Sequence, residues 1–264
     1  MHVEIERNAH LPAIVMLHGF TGSTKTWRSV IQHWQGRFRT VAIDLIGHGK
    51  TDKPLKANRY TMEEQVQDLD EVVAQLGLER FTLLGYSMGG RTALAYAVEF
   101  PEKVERLILE SSSPGLKLEE ERELRKAADD QLANRILENG LAAFVDMWEN
   151  IPLFDSQKAL PEEIRHAIRE ERLSQSEIGL ANSLWGMGTG CQRSYWDELE
   201  KLTLPVLLIT GEIDKKFVTI SREMVRYLPN GIHETISGAG HAIHVEKPDI
   251  FATMIEKYVN SEEE

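Results

Sequence analysis

Cysteine is almost absent from this sequence: Cys191 is the only one among 264 residues. A single thiol cannot form an internal disulfide, and the sequence has no Cys and His spacing typical of a metal site. Such cysteine usage is typical of a reducing compartment, so we expect a cytoplasmic protein. We also expect no metal and no cofactor. Cys191 lies in none of the motifs that activate thiols, and we interpret it as a small buried hydrophobic residue.

Long apolar runs and an excess of cations are also missing. No window approaches the roughly 18 consecutive apolar residues of a membrane-spanning helix, and residues 1–7 contain no stretch suited to a signal peptide. The sequence has 30 Lys and Arg against 42 Asp and Glu, which gives a net charge of −12. That charge repels nucleic acid and anionic membrane surfaces. We therefore expect neither as a partner. We expect instead a small anionic substrate and a protein that is a monomer or a small homo-oligomer. To bind an anion, this acidic protein would need a local cluster of Arg or Lys.

Short apolar segments alternate with helical patterns along most of the chain. The predicted strands cover residues 13–17, 40–45, 81–84, 104–109 and 205–210, with a weaker last strand at 233–236 and at most one short strand before the first. The predicted helices cover residues 62–76, 89–100, 219–227 and 247–259. This alternation predicts an α/β protein with a mostly parallel sheet that is flanked by helices on both faces.

Residues 116–200 break this alternation. They are rich in Glu, Arg, Ala, Leu and Gln, and they contain no strong strand pattern. We interpret them as a helical lid inserted after the sixth strand of the sheet. The predicted organisation is therefore a core formed by residues 1–115 and 201–264, with the lid at 116–200 between its two parts.

A nucleophile motif lies directly after the predicted strand 81–84. Gly85-Tyr86-Ser87-Met88-Gly89 matches G-x-S-x-G and immediately precedes a helical pattern. In this strand–turn–helix context, flanking glycines allow a tight turn that projects the serine hydroxyl above the sheet. The motif therefore predicts Ser87 as the reactive hydroxyl.

A base and an acid follow in the order that this motif requires. Asp214 comes shortly after the predicted strand 205–210, and His241 follows the last predicted strand within Gly238-Ala239-Gly240-His241. His241 would take the Ser87 proton, and Asp214 would orient the imidazole. Glu212 and Glu110 remain alternatives for the acid, and His244 is an alternative for the base.

Backbone donors for a developing oxyanion are expected at two places. One is the residue after the nucleophile, Met88, and the other is Phe20, in the Leu17-His18-Gly19-Phe20 segment after the first strong strand. We interpret His18 as a structural histidine that shapes this loop.

These motifs, in this order along the whole chain, resemble the α/β-hydrolase family. Ser87 disfavours the epoxide hydrolases and haloalkane dehalogenases of that family, which use an aspartate nucleophile. The finer resemblance is to the 2-succinyl-6-hydroxy-2,4-cyclohexadiene-1-carboxylate synthases of menaquinone biosynthesis. It is carried by residues 85–91, 113–116 and 120–125, by Trp148 with residues 152–154, and by the spacing of Arg172 and Gln192; Glu149 and Arg193 depart from that family's usual tyrosine and proline.

The resemblance implies a lyase that removes a ring proton from 2-succinyl-5-enolpyruvyl-6-hydroxy-3-cyclohexene-1-carboxylate and expels pyruvate. Ser87, activated by His241, would then act as a base and form no acyl-enzyme. The substrate carries three carboxylates, and the resemblance assigns them to a guanidinium cluster of Arg91, Arg125 and Arg172. Trp148 is a further candidate for contact with the substrate.

Two other functions fit the same motifs. A serine esterase or C–C bond hydrolase acting on a small carboxylated substrate would use the same three residues and form an acyl-Ser87. A ligand receptor on a degenerate hydrolase fold would have little need to keep all of Ser87, Asp214 and His241, so their presence argues against it.

Overall fold

The computed structural model describes residues 1–6 and 10–261. The strands are β1 (Val3–Glu6), β2 (Ala13–Leu17), β3 (Arg39–Ile43), β4 (Phe81–Tyr86), β5 (Val104–Glu110), β6 (Val206–Gly211) and β7 (Gly231–Ile236). The helices are α1 (Arg28–Trp34), α2 (Met62–Gln75), α3 (Met88–Glu99), α4 (Glu119–Trp148), α5 (Glu162–Leu173), α6 (Glu177–Met187), α7 (Lys215–Met224), α8 (Ile243–Glu246) and α9 (Pro248–Asn260). No helix in these described ranges is both long enough and apolar enough to span a membrane.

The strands form one sheet of seven, in the order β1-β3-β2-β4-β5-β6-β7. All neighbouring strands run parallel except β1, which pairs antiparallel with β3 and places Val3 opposite Ile43. The prediction of a mostly parallel sheet flanked by helices is confirmed, as is the single short strand before β2. Because all strands from β2 to β7 share one direction, the loops after them meet at one edge of the sheet, where the candidate residues lie.

Both faces of the sheet are buried, which explains why the strands appear in the sequence as continuous apolar runs. On β2, Val15 and Leu17 belong to the cluster that packs under α2 and α3. Ile14 and Met16 point to the opposite face, against Trp27 and other aromatic residues of the α1 and α9 side. A strand buried on both faces shows no polar alternation, so its length and its flanking turns are the signals that identify it.

The helical insertion follows the fifth strand of this sheet, not the sixth as we predicted. The count differs because the N-terminal segment contributes only β1 before the buried strands begin. Helices α4 to α6 fill the insertion, and α4 breaks at Gly140, whose φ of 81° lies outside the helical region. A small apolar core of its own, including Ile136, Phe144 and Leu180, holds α4 against α6. The division of the chain at residues 116 and 200 stays a proposal.

Helix α5 is fastened to loops of the core. The Ser23 hydroxyl donates a hydrogen bond to the Glu171 carboxylate. Gln175, one turn later, accepts from the Gly49 amide at 3.0 Å and donates to the Gly22 carbonyl at 3.2 Å. Burial raises the pKa of Glu171. These contacts hold the insertion over the carboxyl edge of the sheet.

Helix α7 begins at Lys215, four residues before the predicted start. Asp214 is its N-cap, and its Oδ1 accepts a hydrogen bond from the Phe217 amide at 3.4 Å. An aspartate is a favoured N-cap because its oxygen satisfies an amide that has no partner within the helix. The prediction placed the start too late because it relied on apolar periodicity and ignored this cap.

Candidate active site

The turn between β4 and α3 holds Ser87 in an unusual backbone conformation. Its φ is 50° and its ψ is −106°, a region that few residues other than glycine adopt. The Ser87 amide donates to the Glu110 carbonyl at 2.9 Å, which ties this strained residue to the end of β5. Such strain persists only where the surroundings impose it, and it projects the side chain away from the sheet.

Two glycines make this turn sterically feasible. A Cβ atom on Gly89 would lie 2.2 Å from the Leu17 carbonyl oxygen, and one on Gly85 would lie 2.4 Å from the Gly89 carbonyl oxygen. Neither contact can be relieved without moving backbone. The G-x-S-x-G spacing is therefore required by the close approach of β2, β4 and α3.

His241 lies between Ser87 and Asp214. Its Nδ1 is 2.6 Å from Asp214 Oδ2, and its Nε2 is 3.0 Å from the Ser87 hydroxyl oxygen. His241 is only 2% exposed and Asp214 only 9%. A carboxylate can only accept, so Nδ1 carries the proton and Nε2 is free to accept the Ser87 proton. The structure thus brings together the three residues predicted from the sequence.

The alternative carboxylates lie elsewhere. Glu212 is on the surface, where it accepts hydrogen bonds from the Ser237 hydroxyl and the Gly238 amide, and these bonds lower its pKa. Glu110 is fully buried and bonds to His244, with Nδ1–oxygen distances of 2.8 and 2.9 Å. Glu110 and His244 therefore form a buried pair of their own behind the site, and neither contacts Ser87 with its side chain.

The residues that carry the predicted oxyanion donors lie close to Ser87. Met88 is the first residue of α3, so its amide has no carbonyl partner within the helix. Phe20 follows Gly19, where a Cβ atom would lie 2.6 Å from the Tyr86 ring, so only glycine lets this loop pack against the turn. Phe20 and Met88 both line the same cavity as Ser87.

His18 is fully buried and forms hydrogen bonds that hold the loop between Leu17 and Phe20 in place. Its Nδ1 donates to the Gly19 carbonyl at 2.7 Å, and its Nε2 accepts from the Leu45 amide at 3.0 Å. Burial lowers the pKa of His18 to about 4 and, together with the His18 charge, that of His48 to about 3. Both imidazoles are therefore neutral and structural near pH 7.

A cavity of about 400 Å³ lies between the sheet edge and the helical insertion. Seven of the nine predicted site residues line it: Phe20, Ser87, Met88, Arg91, Arg125, Trp148 and His241. Asp214 lies behind His241, and Arg172 is not on the cavity wall. The cavity also contains Lys216, an exposed cation that the sequence analysis did not single out and that forms no ion pair with any residue of the described part of the chain.

Arg91 is a buried cation on the cavity floor, one turn along α3 from Ser87. It is 8% exposed, and its Nη1 donates to the Gln192 side chain at 2.5 Å and to the Met187 carbonyl at 2.9 Å. Burial, and then the neighbouring positive charge of Arg125, lower the pKa of Arg91 to about 10. It remains cationic at neutral pH, and an anion in the cavity would relieve both penalties.

Arg125 and Arg172 are placed differently. Arg125 lies on α4, half-exposed on the cavity wall, and its Nε donates to Asp129 at 2.8 Å. Arg172 is buried behind Phe154: its guanidinium carbon lies 4.7 Å from the centre of that ring, and Nη2 donates to Gln157 at 3.3 Å. Phe154 therefore stands between Arg172 and the cavity. Burial lowers the pKa of Arg172.

Trp148 forms part of an aromatic wall. Its ring centre lies 5.5 Å from those of Phe20 and Phe144 and 5.8 Å from that of Phe154. The indole Nε1 is buried and has no hydrogen-bond partner within the described residues. Unpaired buried donors are uncommon in proteins, and this one belongs to a residue that lines the cavity.

Cys191 is only half-buried, contrary to the prediction, because it lies in the loop after α6. Its thiol lies 3.1 Å from the Trp185 carbonyl, and burial raises its pKa. A raised pKa keeps the thiol protonated and unreactive.

In the described ranges, no group of three or more His, Cys, Asp or Glu side chains is arranged to hold a metal ion.

Comparison with known protein sequences gives consistent matches. A sequence model of the alpha/beta hydrolase fold family matches residues 12–248. The chain is 49% identical to a Bacillus subtilis protein provisionally named 2-succinyl-6-hydroxy-2,4-cyclohexadiene-1-carboxylate synthase, over 94% of this chain and 90% of that protein. It is 29% identical to the Serratia proteamaculans protein of that name, over 95% of this chain and 94% of the relative.

Comparison with solved structures also gives matches over nearly the whole chain. MenH from S. aureus matches with a TM-score of 0.94 and 38% sequence identity, over 98% of this chain and 97% of that chain. The enol-lactonase from Burkholderia xenovorans LB400 matches with a TM-score of 0.85 and 20% identity, over 98% and 96% of the two chains. At 20% identity, the second likeness shows a shared fold alone.

Proposed function

This chain belongs to the alpha/beta hydrolase fold family and, within it, to the 2-succinyl-6-hydroxy-2,4-cyclohexadiene-1-carboxylate synthases, and from that premise we propose how its site performs the reaction. The enzyme is a carbon–oxygen lyase of menaquinone biosynthesis. It eliminates pyruvate from 2-succinyl-5-enolpyruvyl-6-hydroxy-3-cyclohexene-1-carboxylate, and the ring becomes the 2,4-diene of the product.

The positions of the double bonds define the electron flow. The proton at ring carbon 2 lies beside the succinyl ketone and the ring alkene, so it is the acidic one. Its loss forms the double bond between carbons 2 and 3, moves the alkene to carbons 4 and 5, and breaks the bond from carbon 5 to the enolpyruvyl oxygen. The leaving enolate takes up a proton and becomes pyruvate. No water and no acyl-enzyme are needed.

Ser87 is the proposed base at ring carbon 2. Its hydroxyl donates to His241 Nε2 at 3.0 Å, so the imidazole withdraws the serine proton as the oxygen attacks the ring proton. Asp214 stabilises the resulting imidazolium through its 2.6 Å hydrogen bond to Nδ1. The imidazolium then holds the proton that the departing enolpyruvate requires.

The amides of Phe20 and Met88 are the proposed donors to the succinyl ketone oxygen. Negative charge develops on that oxygen as the ring proton leaves, and fixed donors stabilise it without reorganisation. Met88 contributes the first amide of α3, where the helix dipole also favours negative charge.

The cavity cations match a triply charged ligand. Arg91 and Arg125 line the wall and can each donate hydrogen bonds to a carboxylate, and Lys216, which also lines the cavity, supplies a third charge. Arg172 can reach the substrate only after the Phe154 ring moves, so we propose it as a ligand of the substrate-bound form. Trp148 would donate its free indole N–H to the substrate. A local cluster of this kind holds an anion in a protein whose net charge is −12.

The observation that carries the proposal is the assembled Ser87–His241–Asp214 chain facing a cavity with a buried arginine on its floor. The test is a pyruvate-release assay on the purified protein, run beside a panel of short p-nitrophenyl esters. We expect pyruvate release from the enolpyruvyl substrate and little ester turnover. Fast ester turnover with an acyl group trapped on Ser87, and no pyruvate, would instead establish an esterase. We also propose that the enzyme works in the cytoplasm.

A further inference from the structure

A short 3-10 helix, Pro152–Ala159, lies within the helical insertion and contacts the loop that carries His241. Its Phe154 ring lies 6.2 Å from the His241 ring on the cavity wall. Two residues later, the Ser156 hydroxyl donates to Glu246 Oε1 at 2.9 Å. One segment of the insertion therefore contacts both the cavity and the base of the His241 loop.

The second oxygen of Glu246 completes a connection to the catalytic histidine. Oε2 accepts from the Gly240 amide at 2.6 Å, and Gly240 directly precedes His241. A hydrogen bond to an ionised acceptor is among the stronger ones, so it restrains this peptide. A Cβ atom on Gly240 would lie 2.0 Å from the Ser156 hydroxyl, so only glycine allows the two segments to meet.

The other side of the His241 loop is held from within the core. Glu110, at the end of β5, accepts from the Ile243 amide at 2.6 Å and from the His244 amide at 3.1 Å. The residues after His241 are thus fixed to the sheet regardless of the insertion. The segment before it is held by the core through the Ile213 amide, which donates to the Ala239 carbonyl at 2.9 Å. The Gly240 amide, directly before His241, is held by Glu246, whose other carboxylate oxygen accepts from Ser156.

We propose that Ser156, Glu246 and the Gly240 amide form a bridge through which the insertion positions His241 over Ser87. Ser156 and Glu246 are positioning residues, since neither contacts the cavity or the reacting atoms. The inference rests on the proposed function for its kinetic test, but not for its chemical test. When the 3-10 helix is seated, the bridge holds the imidazole in line with the serine hydroxyl.

The kinetic test uses Ser156→Ala, Glu246→Ala, the double variant and Glu246→Gln. We expect Ser156→Ala to lower kcat about tenfold with little change in KM, since small misplacements of a catalytic group carry losses of this order or larger. The double variant should match Glu246→Ala alone, because both substitutions break one bridge. Glu246→Gln keeps an acceptor oxygen and should recover part of the activity.

Two controls match these changes elsewhere in the insertion. Ser174→Ala removes an exposed hydroxyl at the end of α5, and Asp155→Asn removes a surface charge paired with Lys158. Both should leave kcat and KM unchanged. Thermal unfolding of every variant separates loss of positioning from loss of fold, and Ser156→Ala alone decides the question if the Glu246 variants do not fold.

The chemical test measures how fast an organophosphorus fluoride inactivates the enzyme. Ser87 oxygen bonds to phosphorus, fluoride leaves, and His241 takes the serine proton, so the rate reports the position of His241 without the lyase substrate. We expect Ser156→Ala to slow inactivation by about the same tenfold factor as kcat. Wild-type inactivation rates in Ser156→Ala, or kcat losses that multiply in the double variant, would overturn the bridge. A wild-type protein that releases no pyruvate would overturn the proposed function, while the inactivation rates would still decide the bridge.

Discussion

Replacing Arg91 with methionine removes the buried charge from the cavity floor and keeps most of the side-chain volume. In the structure, the guanidinium is 8% exposed and has two protein partners, the Gln192 side chain and the Met187 carbonyl. Its place on the cavity wall leaves the rest of the group to meet a substrate carboxylate. The substitution therefore affects both folding and catalysis, and the structure predicts very different sizes for the two effects.

The effect on folding should be small because two contributions oppose each other. Burial lowers the pKa of Arg91 from 12.5 to about 10, which corresponds to roughly 3 kcal/mol against the charged form at about 1.4 kcal/mol per pKa unit. Methionine relieves that penalty. It also leaves the Gln192 and Met187 oxygens without their donor, at about 1–3 kcal/mol each. The free energy of unfolding should therefore change by no more than about 2–3 kcal/mol.

The effect on catalysis should be much larger. Truncating one partner of a charge pair shielded from water costs about 2–5 kcal/mol, which corresponds to roughly 30- to 5,000-fold in kcat/KM. Pyruvate release, coupled to NADH oxidation by lactate dehydrogenase, measures this loss directly. Arg135→Met is the matched control, because Arg135 is exposed on α4 and, among residues 1–6 and 10–261, its side chain donates only to the Gln131 carbonyl, at 3.3 Å.

Unchanged kcat/KM in Arg91→Met would refute the role of this residue. So would an equal loss in Arg135→Met, because the effect would then come from overall charge and not from the cavity. Arg91→Lys adds a finer distinction, since a lysine keeps the charge but cannot bind a carboxylate through two parallel hydrogen bonds. Its activity should fall between those of the wild type and Arg91→Met.

Three further outcomes are expected. Ser87→Ala should lower kcat by on the order of 10³-fold or more while substrate still binds in calorimetry; retained turnover would contradict a base at this position. Trp148→Phe should raise KM roughly 2- to 10-fold with kcat nearly unchanged, since it loses one hydrogen-bond donor worth about 0.5–1.5 kcal/mol and keeps the aromatic wall; an unchanged KM would show that the indole N–H does not meet the substrate. The pKa values of His18 and His48 are lowered to about 4 and about 3, so between about pH 6.5 and those values each histidine binds fewer protons in the folded than in the unfolded protein. The free energy of unfolding should therefore fall as the pH is lowered through this window, by up to about 1.4 kcal/mol per pH unit per histidine. Urea denaturation at several pH values measures that slope, and imidazole resonances of these two residues that titrate near pH 6.5 would contradict it.

The sequence was sufficient to predict which residues lie together around Ser87. Ser87, Asp214 and His241 each follow a buried strand within a few residues, and parallel strands bring such positions to one edge. The glycines around Ser87 are required by backbone contacts as close as 2.2 Å, so they leave a clear motif. These side chains are placed by the sheet, whose geometry is regular, and so their proximity could be expected.

The insertion was much harder to predict, because irregularly packed helices decide where its side chains point. Arg172 stands at the expected spacing in the chain, yet it lies behind Phe154 and not on the cavity wall. In the sequence, Glu246 indicates only the start of the last helix, since Glu246-Lys247-Pro248 is typical of a helix N-terminus. The role that we propose for it rests on its hydrogen bond to Ser156, which lies 90 residues earlier in the chain. No local pattern signals a contact of that kind.

The most direct measurement of the central claim is a single-turnover rate of pyruvate release with hydrogen or deuterium at ring carbon 2 of the substrate. If Ser87 acts as the base that removes this proton, the deuterated substrate must release pyruvate more slowly. Equal rates for the two substrates, with a covalent adduct on Ser87 in the mass of the quenched protein, would contradict the account.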